Sequence, residues 1–117
     1  MTRDDLKKRT KEFAHRCIKL TAALPNSYLG NHLRSQLTRS ATSVAANYRA
    51  ACLAQTRPSF IAKLSIVVEE IDETLFWLEF ICEEGLIEKT HMYAIQKEAN
   101  ELTAIFISTR KTASKNK

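Results

Sequence analysis

Apolar residues recur along this chain at steps of three and four, the spacing that lines one face of an α-helix, and nowhere alternate as a half-buried strand would. The clearest stretch is LRSQLTRSATSVAANYRAAC, in which Leu33, Leu37, Ala41, Val44, Tyr48 and Cys52 fall in one stripe. Gln36, Ser40, Ser43 and Asn47 flank it on one side, and Arg34, Thr38, Thr42, Ala45 and Arg49 on the other. Short side chains let neighbouring helices come close, so this helix is expected to be central. A first helix precedes it on Leu6, Thr10, Phe13, Cys17, Leu20 and Leu24. A third follows on Phe60, Ile61, Leu64, Val67, Val68, Ile71, Leu75, Leu78 and Cys82, and a fourth on Met92, Ile95, Ala99, Leu102 and Phe106.

Pro25, Gly30, Pro58 and Gly85 are the only prolines and glycines, and all four fall at three junctions between these repeats. The expected helices therefore cover about 4–23, 31–55, 57–84 and 88–111, with a frayed basic tail at 112–117. Asn31 and Thr56 are the expected N-caps of the second and third helices, and Gly85 the C-terminal cap of the third. Short connections fold each helix back on the one before it, which predicts a single all-α domain: an up-down-up-down antiparallel four-helix bundle. A parallel coiled coil fits less well, because the breakers interrupt any continuous heptad array.

Composition narrows the class. A chain of 117 residues, 44% hydrophobic and 26% charged, suits one globular domain with a real core. No apolar run is long enough to span a membrane, and MTRDDLKKRTKEF is too charged for a secretory signal, so a cytoplasmic protein with no membrane partner is expected. Cys17, Cys52 and Cys82 are an odd number, one per helix, and are expected to be buried free thiols.

Charge is sharply segregated. Residues 1–19 hold seven Lys or Arg against three acids, and residues 20–68 hold five bases and no acid. Residues 69–88 then hold eight acids and no base, and residues 89–117 six bases against two acids. Either the acidic third helix neutralises basic neighbours within the bundle, or a basic surface meets a polyanion. The third helix also carries Ile66, Phe76, Trp77 and Phe80 opposite its core stripe. Aromatics on an outer face imply self-association; otherwise the helix is rotated so that some of them join a thick core.

Chemistry is scarce. Glu12 with His15 and Glu88 with His91 repeat the Glu-x-x-His spacing of di-iron bundles, which makes a metal-binding bundle an alternative. The second helix has no carboxylate, however, and the two pairs sit at different heights. No phosphate loop or nucleophile elbow is present, so no catalysis and no cofactor is expected. Ser40, Ser43 and Asn47 are read as structural polar residues that fix helix register, with Arg39 pairing to Glu73 or Glu69.

The run QLTRSATSVAANYRAA followed by PSFIAKLSIVVEEIDETLFWLEFICEEGLI resembles the bacterial four-helix-bundle proteins encoded by intervening sequences of large-subunit ribosomal RNA genes. Gln36, Leu37, Arg39, Ser40, Ala41, Ser43 and Asn47, then Phe60, Ile61 and the Gly85 turn, carry the resemblance. It implies a closed homopentamer, similar in fold to the accessory protein of diversity-generating retroelements, which binds nucleic acid and a reverse transcriptase. One departure is Arg49, Ala50, Ala51, where the family usually has Glu-Gly or Glu-Ala shortly after the asparagine. The expected function is non-enzymatic binding of RNA or DNA as an accessory or scaffold, through Arg34, Arg39, Arg49, Arg57, Lys63, Arg110 and Lys111, with Lys115 and Lys117 in the tail. The alternative is a protein-only scaffold whose arginines are neutralised by the third helix.

Overall fold

The computed structural model describes residues 1–115, which form four helices: α1 (Arg3–Thr21), α2 (Tyr28–Cys52), α3 (Arg57–Glu83) and α4 (Lys89–Lys115). Among the described residues there is no strand, and the bundle measures 48 × 22 × 20 Å. Lys117 lies outside the described residues.

The first three helix starts have a local cause. Thr2 caps α1: its hydroxyl accepts from the Asp5 N–H at 3.1 Å, and its own N–H donates to the Asp5 carboxylate at 3.0 Å. Those hydrogen bonds hold the Asp5 carboxyl below its ordinary pKa. α2 begins one turn before the expected Asn31 cap, because the Ser27 hydroxyl accepts the Gly30 N–H at 3.0 Å and the helix grows from there. Gly30 is needed at that point, since a Cβ would overlap the carbonyl oxygen of Pro25. Thr56 caps α3 through the Ser59 N–H at 3.2 Å, with Pro58 in the first turn where its missing donor costs nothing. Gly85 ends α3 in the left-handed region at φ 69°, and the Leu86 N–H returns to the Ile81 carbonyl at 3.2 Å. α4 continues to Lys115, about one turn past the expected end at 111.

α2 lies between α1 and α3, α3 between α2 and α4, and α4 closes the square against α1. Across the α2–α3 seam, Ser40 meets Thr74, while His32, earlier on α2, meets Trp77, later on α3. The Arg3 guanidinium stands 4.6 Å from the Phe60 ring, which brings the starts of α1 and α3 together. Arg9 of α1 holds Glu98 of α4 through two hydrogen bonds of 2.6 and 2.8 Å.

The core follows the stripes: Phe13, Leu37, Val44, Tyr48, Leu64, Ile71, Leu78, Leu102 and Phe106 are essentially inaccessible, and Ile95 is buried. Tyr48 and Phe106 stack across the bundle with ring centroids 5.2 Å apart. Leu20 and Val68, expected in the core, are only half-buried against its edge. Of the three free cysteines only Cys17 is fully buried, and loss of hydration pushes its thiol up to about 12. Cys52 and Cys82 are half-buried, so the expectation of three buried thiols holds for one. Among the described residues no helix is long and apolar enough to cross a membrane.

Replacing Leu37 or Ile71 by Ala leaves a cavity and is expected to cost about 2–5 kcal/mol, read as a lower melting temperature; an unchanged melting temperature for both variants contradicts the assigned core. A thiol reagent at neutral pH is expected to modify Cys52 and Cys82 in the native protein and to spare Cys17, so that Cys17→Ser leaves the number of reacting thiols unchanged.

Candidate nucleic-acid interface

One end of the bundle gathers the beginnings of α1 and α3 and the finishes of α2 and α4. A shallow hollow there is lined by Arg3, Tyr48, Phe60, Thr109 and Thr112, among others. Five of the residues expected to contact nucleic acid belong to the helix turns nearest this end, Arg49, Arg57 and Lys111 exposed, Lys63 and Arg110 half-buried, with Asp4 and Asp5 in the first turn of α1 as the acids there. Lys115 adds to the set from the last turn of α4. Arg57 opens α3 with no acid in the first turn, so a positive charge sits at the positive end of a helix dipole, which does nothing for helix stability.

The other two expected contacts stand apart. Arg34, near the start of α2, donates to the Leu24 carbonyl at 3.0 Å and to the Asn31 side chain, tying down the α1–α2 turn. Arg39, midway along α2, bridges Glu70 at 3.2 Å and also Glu73. Glu73 was an expected partner; the second is Glu70 in place of Glu69, which points to solvent. These pairs are partly exposed, and each is worth about 0–1 kcal/mol at most.

The polar residues of α2 divide by role. Ser40 is fully buried, donates to the Leu37 carbonyl at 3.4 Å and accepts from the Thr74 hydroxyl of α3 at 2.9 Å. Asn47 donates to the Ser43 carbonyl at 2.9 Å and to the Ser43 hydroxyl at 2.8 Å, both on its own helix. Ser40 rather than Asn47 therefore links helices, through a threonine that periodicity had hidden inside the apolar stripe between Ile71 and Leu78.

On α3, Phe76 is 52% and Ile66 37% exposed, while Trp77 and Phe80 are half-buried against the core. Trp77 donates its indole N–H to Glu73 at 3.2 Å and meets His32 edge-on. Phe76, Trp77 and Phe80 form one aromatic cluster, with Phe76 and Trp77 centroids 4.9 Å apart. Two of the four residues project outward and two thicken the core. Exposed Glu69, Asp72, Glu79 and Glu83 share this outer side.

A second surface was not foreseen. Between α1 and α2 runs a groove of about 790 Å³, floored by Ala14, Ala45 and Ala46 and edged by Lys7, Lys8, Lys11, His15 and Arg49. Its signal in the sequence is a run of outward bases on α1 beside the small residues of α2. Glu12, His15, Glu88 and His91 are all exposed, and among the described residues no three His, Cys, Asp or Glu gather into a metal site.

Residues 4–108 match the model of a family described as 23S rRNA-intervening sequence protein. A crystal structure of a protein of unknown function from the S23 ribosomal protein family of Bacteroides thetaiotaomicron VPI-5482 is similar throughout: 35% identity, 90% of this chain and 97% of that one covered, TM-score 0.83. No curated protein matches the chain.

Proposed function

The chain belongs to the 23S rRNA-intervening sequence protein family, and from that premise we propose that it is a non-enzymatic, oligomeric helical-bundle protein that binds nucleic acid as an accessory or scaffold. The observation that carries this reading is the basic end, to which three helices contribute Arg49, Arg57, Lys63, Arg110 and Lys111. Bases near the C-terminal ends of α2 and α4 have an intramolecular reason, since cations favour the negative end of a helix dipole. Arg57 has none, since α3 has no acid in its first turn, and of the acids at this end Asp5 is engaged with Thr2 and Asp4 with Lys7. Phosphates are the natural counter-charge, and each one neutralised steepens the salt dependence by about 0.7–0.9 in the logarithmic slope.

The bundle is read as up-down-up-down, which the opposed contacts along α2 and α3 support. It assembles into a closed homo-oligomer, five-membered by family resemblance, with exposed Phe76 and Ile66 as the apolar reason to associate. A few phosphate contacts per copy are weak, but a ring presents them together and gains by multivalency. Free thiols suit a reducing cytoplasm. A second reading, a protein-only scaffold, is favoured at one position: Arg39 is already paired with Glu70 and Glu73.

Binding of a single-stranded RNA and of a duplex DNA, each measured at about 50 and 200 mM salt, tests the proposal. The expected result is micromolar or tighter affinity that falls as salt rises. Arg57→Glu combined with Lys111→Glu is expected to weaken it at least about tenfold, while Arg39→Gln changes it little. An intact oligomer that binds neither polymer at low salt overturns nucleic-acid binding in favour of the scaffold.

A further inference from the structure

α3 buries one stripe and still presents Ile66, Glu69, Asp72 and Phe76 to solvent. An exposed helix face that is both apolar and acidic needs a cover that is apolar at its floor and basic at its rim. The groove between α1 and α2 has that composition: alanines below, Lys7, Lys8, Lys11, His15 and Arg49 along the edges, and Ile18, 40% exposed, at one end. Asp4 is the one acid in its lining, and it already pairs with Lys7 at 3.5 Å.

We infer that this groove receives the outer face of α3 from a second copy of the chain, so that the oligomer is built head to tail. The inference rests on the oligomeric reading above and names the two surfaces that join.

Dimensions agree first. The exposed face from Ile66 to Phe76, about 15 Å at 1.5 Å rise, fits within the groove, which runs about 20 Å from Asp4 to Ile18. Heights agree next. Copies in a closed ring are related by rotation about one axis without a shift along it, so with the bundles parallel to that axis groups that touch across the interface stand level in the single chain. Arg3 over Phe60 sets α1 against α3, and Ser40 against Thr74 sets α2 against α3. Counting equal rises from those contacts, Ile66 is level with Lys8 and with the Ala46–Arg49 turn. In the same way Glu69 is level with Lys11 and Ala45, Asp72 with His15 and Thr42, and Phe76 with Ile18. Phe76 thus meets Ile18, Glu69 meets Lys11, and Ile66 stands at the height of Ala46.

Direction agrees as well. The groove lies on α1 and α2 and the other face on α3, so the two surfaces lie on different sides of the four-helix square. Surfaces on different sides of one copy let successive copies turn back on themselves and close as a ring. A phosphate backbone would use the groove's bases but not its alanine floor or Ile18, which suit packed side chains.

Light scattering across a dilution series tests the pairing. Lys8→Glu with Lys11→Glu, and separately Glu69→Lys with Asp72→Lys, are each expected to raise the concentration needed for assembly at least about tenfold, because a like charge then faces Glu69 in the first variant and Lys11 in the second. All four changes together are expected to restore assembly to near the wild-type concentration. Ala46→Arg, which fills the groove from an exposed position, is expected to weaken assembly with the melting temperature retained. A Lys8→Glu, Lys11→Glu variant that assembles like the wild type overturns the inference; should that variant also lose RNA affinity, the groove is a polyanion site instead. A wild-type chain that stays monomeric overturns the oligomeric reading and this inference together.

Discussion

The seam between α2 and α3 is the constraint on which the other features depend. Leu37, Ala41 and Val44 on one side and Val67, Ile71 and Leu78 on the other are fully buried, and the small residues of α2 let the two backbones come close. Inside that apolar seam the hydroxyls of Ser40 and Thr74 share a hydrogen bond, the one buried polar link between the two helices. A slip of one turn, about 5.4 Å, would break that link at a cost of about 0.5–1.5 kcal/mol, leave each hydroxyl only a carbonyl of its own helix, and pull Arg39 from Glu70 and Glu73. Register follows from that penalty. It decides which turn of α3 stands beside which turn of α2, and through Arg3 and Phe60 it is continued to α1.

Much of this was legible from residue spacing. Four helices, the Thr56 cap, the Gly85 terminus and most of the core follow from periodicity and punctuation, because those signals are local. What escaped depends on atoms brought together only by folding. Ser27 and Asn31 are comparable caps in sequence, and only the overlap of a Gly30 Cβ with the Pro25 carbonyl shows why the chain turns early. Asn47, expected with Ser40 and Ser43 to fix register, is satisfied within its own turn. Trp77 and Phe80 lean inward against the core edge, a rotation that a stripe of apolar letters does not specify.

The basic residues sort in the same way. Arg34 secures a turn and Arg39 is neutralised, both through partners far away in sequence or on another element. Arg49, Arg57, Lys63, Arg110 and Lys111 come together only because helix ends meet. The α1–α2 groove escaped because its two walls lie about thirty residues apart and neither alone forms a motif. Segregated charge then has two consequences from one cause. The acid-rich stretch from 69 to 88 gives α3 an outer face complementary to the groove, and the acid-free stretch before it leaves one end of the bundle basic. In a ring of parallel bundles all those ends lie on one rim.

The most direct test of that link compares salt dependence in the assembled and dissociated protein. The logarithmic slope of affinity for one long single-stranded RNA counts the phosphates neutralised, at about 0.7 each. The Glu69→Lys, Asp72→Lys variant blocks the proposed pairing while leaving every residue of the basic end in place. The account predicts a slope several-fold steeper for the wild type than for this variant, because the ring engages many basic ends at once. Equal slopes, with the wild type assembled and the variant monomeric, would contradict it.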